Sequence, residues 1–337
     1  MSPIEYAALY GHGKAVLCCS IAVRTRGMSV DVIVVSYNTR DLLRACLQSV
    51  ARAANEIENL HTFVVDNASS DASAEMVRTE FPSVQLIALD KNIGFGPANN
   101  RGMRAGNSEY LLFLNSDAEL TPGALKLLVS FLGGNPNAVI AGPRLEYPDG
   151  RFQLSCRRFP TFLRSLWNTA GIQRRLPNQF TSLQSWLAES DHVQGAKIDM
   201  VSGACFLARR DYFESIGGFD EKLFLYEEEM DVMLPARRKG KDVCYCAEAR
   251  VIHHHGASSG EHQASDASLY HLYRSKYFTF RKHYGFAYAF LTFLADFLVF
   301  QSSALLNGLR GSTSSAARNA SFCLQGYRAS SSPRTSK

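Results

Sequence analysis

The 337-residue chain is predicted to fold as an α/β protein, a Rossmann-like, mainly parallel central sheet flanked by helices, with a helical extension at its C-terminal end. Three observations predict this. Short runs of β-branched and apolar residues alternate with amphipathic stretches of helical period, the pattern of βαβ units. Polar clusters follow the strand-like runs, where an open parallel sheet places its ligand. Beyond residue 260 the alternation gives way to helical patterning that includes the most apolar segment of the chain.

Taken in order, residues 30–36 (VDVIVVS), 62–65 (TFVV), 84–89 (VQLIAL) and 110–114 (YLLFL) read as buried strands. Residues 40–54, 72–81 and 98–105 read as the helices between them. Polar residues follow at the ligand edge: Tyr37-Asn38 after the first strand, Asp66-Asn67-Ala68-Ser69-Ser70-Asp71 at the second, and Asn115-Ser116-Asp117 after the fourth. Thr121-Pro122-Gly123 opens the next helix with a cap residue and a proline. The second half is less regular. It holds a strand at 139–145, Arg-rich loops, a strand at 200–207, an acidic helix start at 227–231, and a strand at 243–245 leading to His253-His254-His255.

Composition narrows the function. With 46% apolar and 20% charged residues, wholesale disorder is excluded. Lys and Arg exceed Asp and Glu by 36 to 31, a mild net charge of +5 concentrated towards the ends. No dense basic stripe with interleaved aromatics is present, so nucleic acid is not an expected partner. Eight cysteines without a CxxC spacing read as small buried side chains, reduced in a cytoplasmic compartment.

The ends carry their own expectations. The apolar run 15–23 is too short to span a bilayer and lacks a cleavage signal. Residues 1–28 are read as a flexible extension or an over-long start ahead of Met28. Residues 286–306 (FAYAFLTFLADFLVFQSSALL) approach spanning length, yet Asp296 at their centre would cost roughly 2.5–3.5 kcal/mol in a bilayer. A helix lying in the membrane interface, or packed on a partner, fits better than a simple span. The Ser- and Arg-rich stretch 311–337 is expected to be disordered.

Several clusters can carry chemistry. Asp117, just beyond a buried strand, suits a hard divalent cation whose shell phosphate oxygens complete, although alone it would more simply cap a turn. The run Glu227-Glu228-Glu229-Met230-Asp231 can hold like charges that raise one another's pKa, as a general base needs, or can complement a helix dipole. Of His253-His254-His255, one or two can reach a metal, because three adjacent side chains cannot face one point. Asp66 can accept a hydrogen bond from a nucleobase imide. Residues 92–102 (NIGFGPANNRG) have the glycines, amides and arginine of a diphosphate cradle before a helix. Gly11-His12-Gly13 has no strand before it and is a weaker match.

In chain order, VDVIVVSYN, VVDNASSD, NIGFGPANNRG, YLLFLNSDAELTPGAL, VSGACFLARRDYFESIGGFDEKLFLYEEEMDV and ARVIHHHGAS resemble the family 2 glycosyltransferases, and within them the rhamnosyltransferase-like group of cell-surface polysaccharide biosynthesis. The matching pieces cover roughly residues 30–259. The resemblance implies a GT-A fold over 29–260, with a nucleotide-sugar-binding half at 29–120 and an acceptor and catalytic half at 121–260, then a membrane-associated helical region at 261–310. It implies inverting, metal-dependent transfer from a nucleotide-diphosphate sugar, dTDP-rhamnose first, to a saccharide or polyprenyl-linked acceptor at the inner face of the cell membrane.

Site residues follow from the same resemblance. Tyr37, Asn38 and Asp66 would line the nucleoside, with Asn99, Arg101 and Ser116 on the donor side. Asp117 and His253 would hold Mg²⁺ or Mn²⁺. Glu228-Glu229 stands where the family has a Glu-Asp pair whose aspartate is the base, so Glu229 keeps the carboxylate with one more methylene. Glu228 and Asp231 are the alternates. Pro235 falls within the following helix, where a proline costs about 3 kcal/mol. These departures make a catalytically impaired sugar-binding scaffold the alternative function. A sugar nucleotidyltransferase would need a glycine-rich basic loop where this chain has Ser36-Tyr37-Asn38-Thr39.

Overall fold

The computed structural model describes residues 27–172, 181–254, 265–309 and 315–331. The expectations on residues 1–26, including Gly11-His12-Gly13, and on His255 lie outside the described residues. The first half runs β1 (Ser29–Ser36), α1 (Arg40–Ala53), β2 (Asn59–Asp66), α2 (Ser73–Glu80), β3 (Gln85–Ala88), α3 (Phe95–Ala105) and β4 (Tyr110–Asn115). There follow β5 (Ala118–Leu120), α4 (Ala124–Gly134), β6 (Ala138–Glu146), β7 (Phe152–Gln153), β8 (Cys156–Arg157) and α5 (Phe162–Thr169). The last third holds β9 (Lys197–Ile198), β10 (Met200–Val201), β11 (Cys205–Arg209), α6 (Arg210–Ser215), α7 (Glu228–Arg238), β12 (Asp242–His253), α8 (Asp266–Tyr284), α9 (Phe286–Leu309) and α10 (Ser315–Ala329).

The central sheet has the order β3-β2-β1-β4-β11-β6-β12-β5. It is parallel from β3 to β4 and mixed beyond, because β11 enters antiparallel between β4 and β6. The run expected as one strand over 200–207 is broken by Ser202-Gly203-Ala204: β10 pairs with β8 in a separate ribbon, and β11 turns back along β4. This reversal matters for the site. It brings the start of β11 beside the end of β4, where Asn115 N–H donates to the Ala204 carbonyl at 2.9 Å. On the other side, His253 at the end of β12 pairs with Ala118 at the start of β5.

Alternation along β1 sends successive side chains into two cores. Val32 and Val34 pack with Leu43 and Leu47 of α1 and Leu128 of α4, while Ile33 packs with Phe113, Phe206, Phe213 and Phe219 on the opposite face. Each fully buried side chain of this kind contributes about 1.5–3 kcal/mol. Helix α7 continues through Pro235 for three more residues, and Lys239 N–H closes its end on the Pro235 carbonyl at 3.0 Å.

A third core, Leu269, Tyr273, Tyr277, Phe293 and Cys323, joins α8, α9 and α10. Within the stretch expected to be disordered, Ser315–Ala329 is instead a helix, α10, whose buried stripe is Ala316, Ala320, Cys323 and Gly326. Small residues let it approach closely, since a Cβ on Gly326 would lie 2.7 Å from the backbone nitrogen of Arg274. Asp296 of α9 also points inward. It accepts from the Thr169 hydroxyl at 2.6 Å, Lys276 Nζ at 2.6 Å and the Tyr277 hydroxyl at 2.9 Å. The outward face of α9 is consequently apolar, with Phe286, Leu291, Leu298, Leu305, Leu306 and Leu309 each more than half exposed. Asp296→Ala would leave the largely buried Lys276 ammonium without its carboxylate. A loss of about 3–5 kcal/mol is expected in urea unfolding, and a loss below about 1 kcal/mol would show that the pair does not hold the layer.

Candidate active site

Non-glycine residues in the left-handed region gather at the ligand edge: Asn38 (φ 54°), Ala68 (66°), Ala72 (65°), Tyr226 (72°) and Glu227 (68°). They lie in the loops after β1 and β2 and in the loop before α7. Such backbones cost about 1–3 kcal/mol each and persist where their surroundings over-determine them. Here Asn38 N–H donates to Ser69 Oγ at 3.0 Å, and Asn38 Oδ1 accepts from Ser70 N–H at 2.7 Å. The first two loops therefore form one unit, with Tyr37 half exposed beside it. Asp66 is buried at the end of β2. Its Oδ2 accepts from Ser69 N–H at 3.1 Å, while Oδ1 has no hydrogen-bond partner among the described residues. A buried carboxylate oxygen left so costs about 1–3 kcal/mol, which a ligand N–H at this edge would recover.

Two donor-side features are already engaged within the protein. Asn99 is buried inside α3, and its amide donates to the Phe95 carbonyl at 3.1 Å. In residues 92–102, three successive backbone donors of the turn are held within the protein. Ile93 N–H goes to Asn67 Oδ1 at 2.8 Å, Gly94 N–H to Asn92 Oδ1 at 2.9 Å, and Phe95 N–H to the Phe224 carbonyl at 2.8 Å. Arg101 stands exposed on α3. Ser116 is buried and its Oγ accepts from Thr39 Oγ1 at 2.8 Å, which leaves its own O–H to donate.

The β5–β12 ladder sets Asp117 beside His253. Their Oδ1 and Nε2 lie 3.5 Å apart, and both residues are more than nine-tenths buried. His253 Nδ1 meets Gln153 Oε1 at 2.7 Å. The carboxamide oxygen can accept from an Nδ1–H, the tautomer that would turn the Nε2 lone pair to the carboxylate. Two electron-pair donors turned towards each other suit a hard divalent cation that keeps open positions for water and phosphate. No group of three or more His, Cys, Asp or Glu that could close a cage around a metal exists among the described residues. His254 is turned to Glu119 Oε1 at 2.9 Å. Gln153 escaped the sequence reading: it lies 100 positions from His253, on a two-residue strand without a motif.

The acidic run separates into distinct roles. Glu229 Oε1 accepts from Gly203 N–H at 3.0 Å, which places it next to the Asn115–Ala204 junction and leaves its other oxygen for a ligand. Glu228 is 3% exposed and packed over Gly96, and its Oε1 has no partner among the described residues. Burial first, and then the neighbouring Glu229, hold its pKa well above the usual carboxylate range. Asp231 is engaged by α8. Burial would raise its pKa, but bonds to His283 Nε2 and Lys282 Nζ, both at 2.7 Å, outweigh this and lower it. Its function is to fasten α7 to α8. Of the two adjacent glutamates, Glu228 is the one whose surroundings favour keeping its proton.

Two outcomes test this arrangement. A Cβ at Gly203 would come within 2.6 Å of Glu229 Oε1. The flexible carboxylate end would swing aside, so Gly203→Ala should keep its fold and donor binding while kcat falls about 10²-fold. An unchanged kcat would disconnect Gly203 from the base. Glu228 keeps a proton in the folded state above its ordinary pKa of 4.5, so stability is lost as pH rises through that window. Glu228→Gln should therefore melt at higher temperature than the parent at pH 7 and match it near pH 4. Parallel melting curves at all pH values would show that the carboxyl is not held protonated.

Residues 31–217 match the sequence profile of Glycosyl transferase family 2. The chain is 28% identical over 266 residues to an N-acetylglucosaminyl-diphospho-decaprenol L-rhamnosyltransferase of Mycobacterium tuberculosis, across 72% of this chain and 81% of that protein. It is 24% identical over 240 residues to the O-antigen chain rhamnosyltransferase RfbN of Salmonella typhimurium, across 69% of each. Among solved structures, the mannosyltransferase PcManGT from Pyrobaculum calidifontis in complex with GDP-Man and Mn²⁺ superposes with a TM-score of 0.56. That match has 16% identity and spans 92% of this chain and 88% of the other, a likeness of fold.

Proposed function

Since the chain belongs to glycosyl transferase family 2 and has the GT-A fold, we propose that it moves L-rhamnose from dTDP-rhamnose to a hydroxyl of a lipid-linked saccharide, with inversion at the anomeric carbon. The observation that carries this reading is one sheet edge holding both the Asp117–His253 corner and the Gly203-anchored Glu229. The choice of sugar and acceptor rests on the two rhamnosyltransferase relatives, one of which is named for a diphospho-decaprenol acceptor.

In this mechanism Glu229, fixed through one oxygen by Gly203 N–H, takes the proton of the acceptor hydroxyl with the other. The hydroxyl attacks the anomeric carbon from the side opposite the diphosphate. Asp66 Oδ1 accepts from the imide N–H of the base, and Tyr37 and Asn38 flank the nucleoside. Ser116 offers its hydroxyl to the donor. Asp117 and His253 would hold a divalent cation, Mg²⁺ or Mn²⁺, whose chemistry there is neutralisation of the charge on the departing diphosphate. The solved archaeal relative, which carries GDP-Man and Mn²⁺, supports a cation of this kind. The apolar outer face of α9, on a helix long and apolar enough to cross a membrane, supports peripheral attachment at the inner membrane surface, near a lipid-linked acceptor.

The test is nucleotide release from a panel of nucleotide sugars with Mg²⁺ or Mn²⁺, beside an Asp117→Ala control. Cation-dependent release from dTDP-rhamnose, absent in the control, is the expected result. Binding without release would point to the scaffold alternative, and release from a different donor would replace rhamnose.

A further inference from the structure

Arg157 and Trp186 occupy a place that the donor chemistry does not use. Arg157 lies on β8, opposite Met200 of β10, three positions before the Gly203 that anchors Glu229. On its other side the chain returns: Arg157 bridges to Trp186, with Arg158 N–H on the Ser185 carbonyl at 2.8 Å and Leu187 N–H on the Cys156 carbonyl at 3.0 Å. The result is the two-stranded β8–β10 ribbon with the 185–187 segment bridged to its free edge, near the candidate base. The Arg157 guanidinium lies over the Trp186 ring, 5.1 Å from its centroid. Its Nε is buried with no hydrogen-bond partner among the described residues, while the indole is 39% exposed.

This rests on the glycosyl-transfer reading of the site, and from it we propose that Arg157 and Trp186 form the acceptor subsite, the arginine taking a phosphate of the acceptor and the indole face its sugar ring. A guanidinium stacked on an aromatic ring keeps its N–H edge for in-plane ligands, and phosphate matches that edge in charge and geometry. An exposed indole presents a flat apolar surface to the C–H face of a pyranose. The ribbon also leads towards the C-terminal layer. The segment between β8 and Trp186 contains α5, whose Thr169 is bonded to Asp296 of α9. Through Asn168, bonded to Ser185 next to Trp186, α5 connects this ribbon to α9, the helix whose outer face is apolar. Lipid-linked saccharide diphosphate is the acceptor class that meets all three features.

Burial raises the Glu227 pKa, and Arg157 lies near enough to offset part of that rise. A purely structural counterion is thus the competing role, and the two separate in kinetics. The probes are octyl-diphosphate-linked N-acetylglucosamine and octyl N-acetylglucosaminide, which lacks phosphate. Arg157→Gln should raise KM for the diphosphate probe about tenfold or more and leave that for the glycoside unchanged. Arg157→Lys should restore part of the preference. Trp186→Ala should raise KM for both probes. Donor KM and acceptor-independent nucleotide release should stay at the parent's values in all three variants. Equal losses with both probes in Arg157→Gln, or a change in donor KM, would overturn the subsite. So would a parent enzyme without preference for the diphosphate probe. Calorimetric binding of that probe reads the subsite even where no donor reacts, so failure of the transfer reading would be seen separately.

Discussion

Asp117→Asn is expected to remove cation-dependent donor binding and to lower turnover by about 10³-fold or more, while leaving the fold intact. The side chain is 2% exposed, at the mouth of the parallel half of the sheet, with His253 Nε2 3.5 Å away. Asparagine keeps the volume, and the bond from His254 N–H survives because it goes to the backbone carbonyl of residue 117. What disappears is one negative charge at the point where a diphosphate would accumulate charge, and removal of such electrostatic stabilisation costs orders of magnitude. Donor calorimetry with and without Mn²⁺, together with initial rates, checks both parts. Retention of cation-dependent binding would move the metal corner elsewhere.

Glu229→Gln should have the opposite signature in binding. The amide oxygen can still accept from Gly203 N–H, so donor affinity should equal the parent's. Only proton acceptance is lost, and with it about 10²–10⁴-fold in transfer. If transfer survives, the base is Glu228, and Glu228→Gln would then abolish it. Glu227 is a poor substitute. Its backbone is left-handed, and its carboxyl is set against Arg157.

The parallel half of the fold was legible because its strands are uninterrupted apolar runs followed by polar loops. The mixed half was less so, for local reasons. In β12 the apolar run was readable only at 243–245, yet the strand continues to His253 through a register shift between Cys246 and Arg250, where Glu248-Ala249-Arg250 breaks the pattern. In α10 small residues replace large apolar ones, so composition resembled a disordered tail while close packing made a helix. At the candidate site, the positions of Asp66 and Asp117 at or just beyond strand ends were legible, and His253 was singled out from its neighbours by the family resemblance alone. Their partners were not legible. Gln153 and Gly203 act through single hydrogen bonds from distant positions, and only the placement of Lys282 and His283 on α8 separates Asp231 from its glutamate neighbours.

The central claim is a direct displacement driven by a carboxylate base, and the anomeric configuration of the transferred sugar tests it most directly. The product formed from dTDP-rhamnose and a diphosphate-linked N-acetylglucosamine acceptor can be read by proton NMR before any mutarotation matters, because the new glycosidic bond is fixed. Inversion relative to the donor is the expected result. Retention would require a second displacement or a front-side path, and would contradict the role assigned to Glu229.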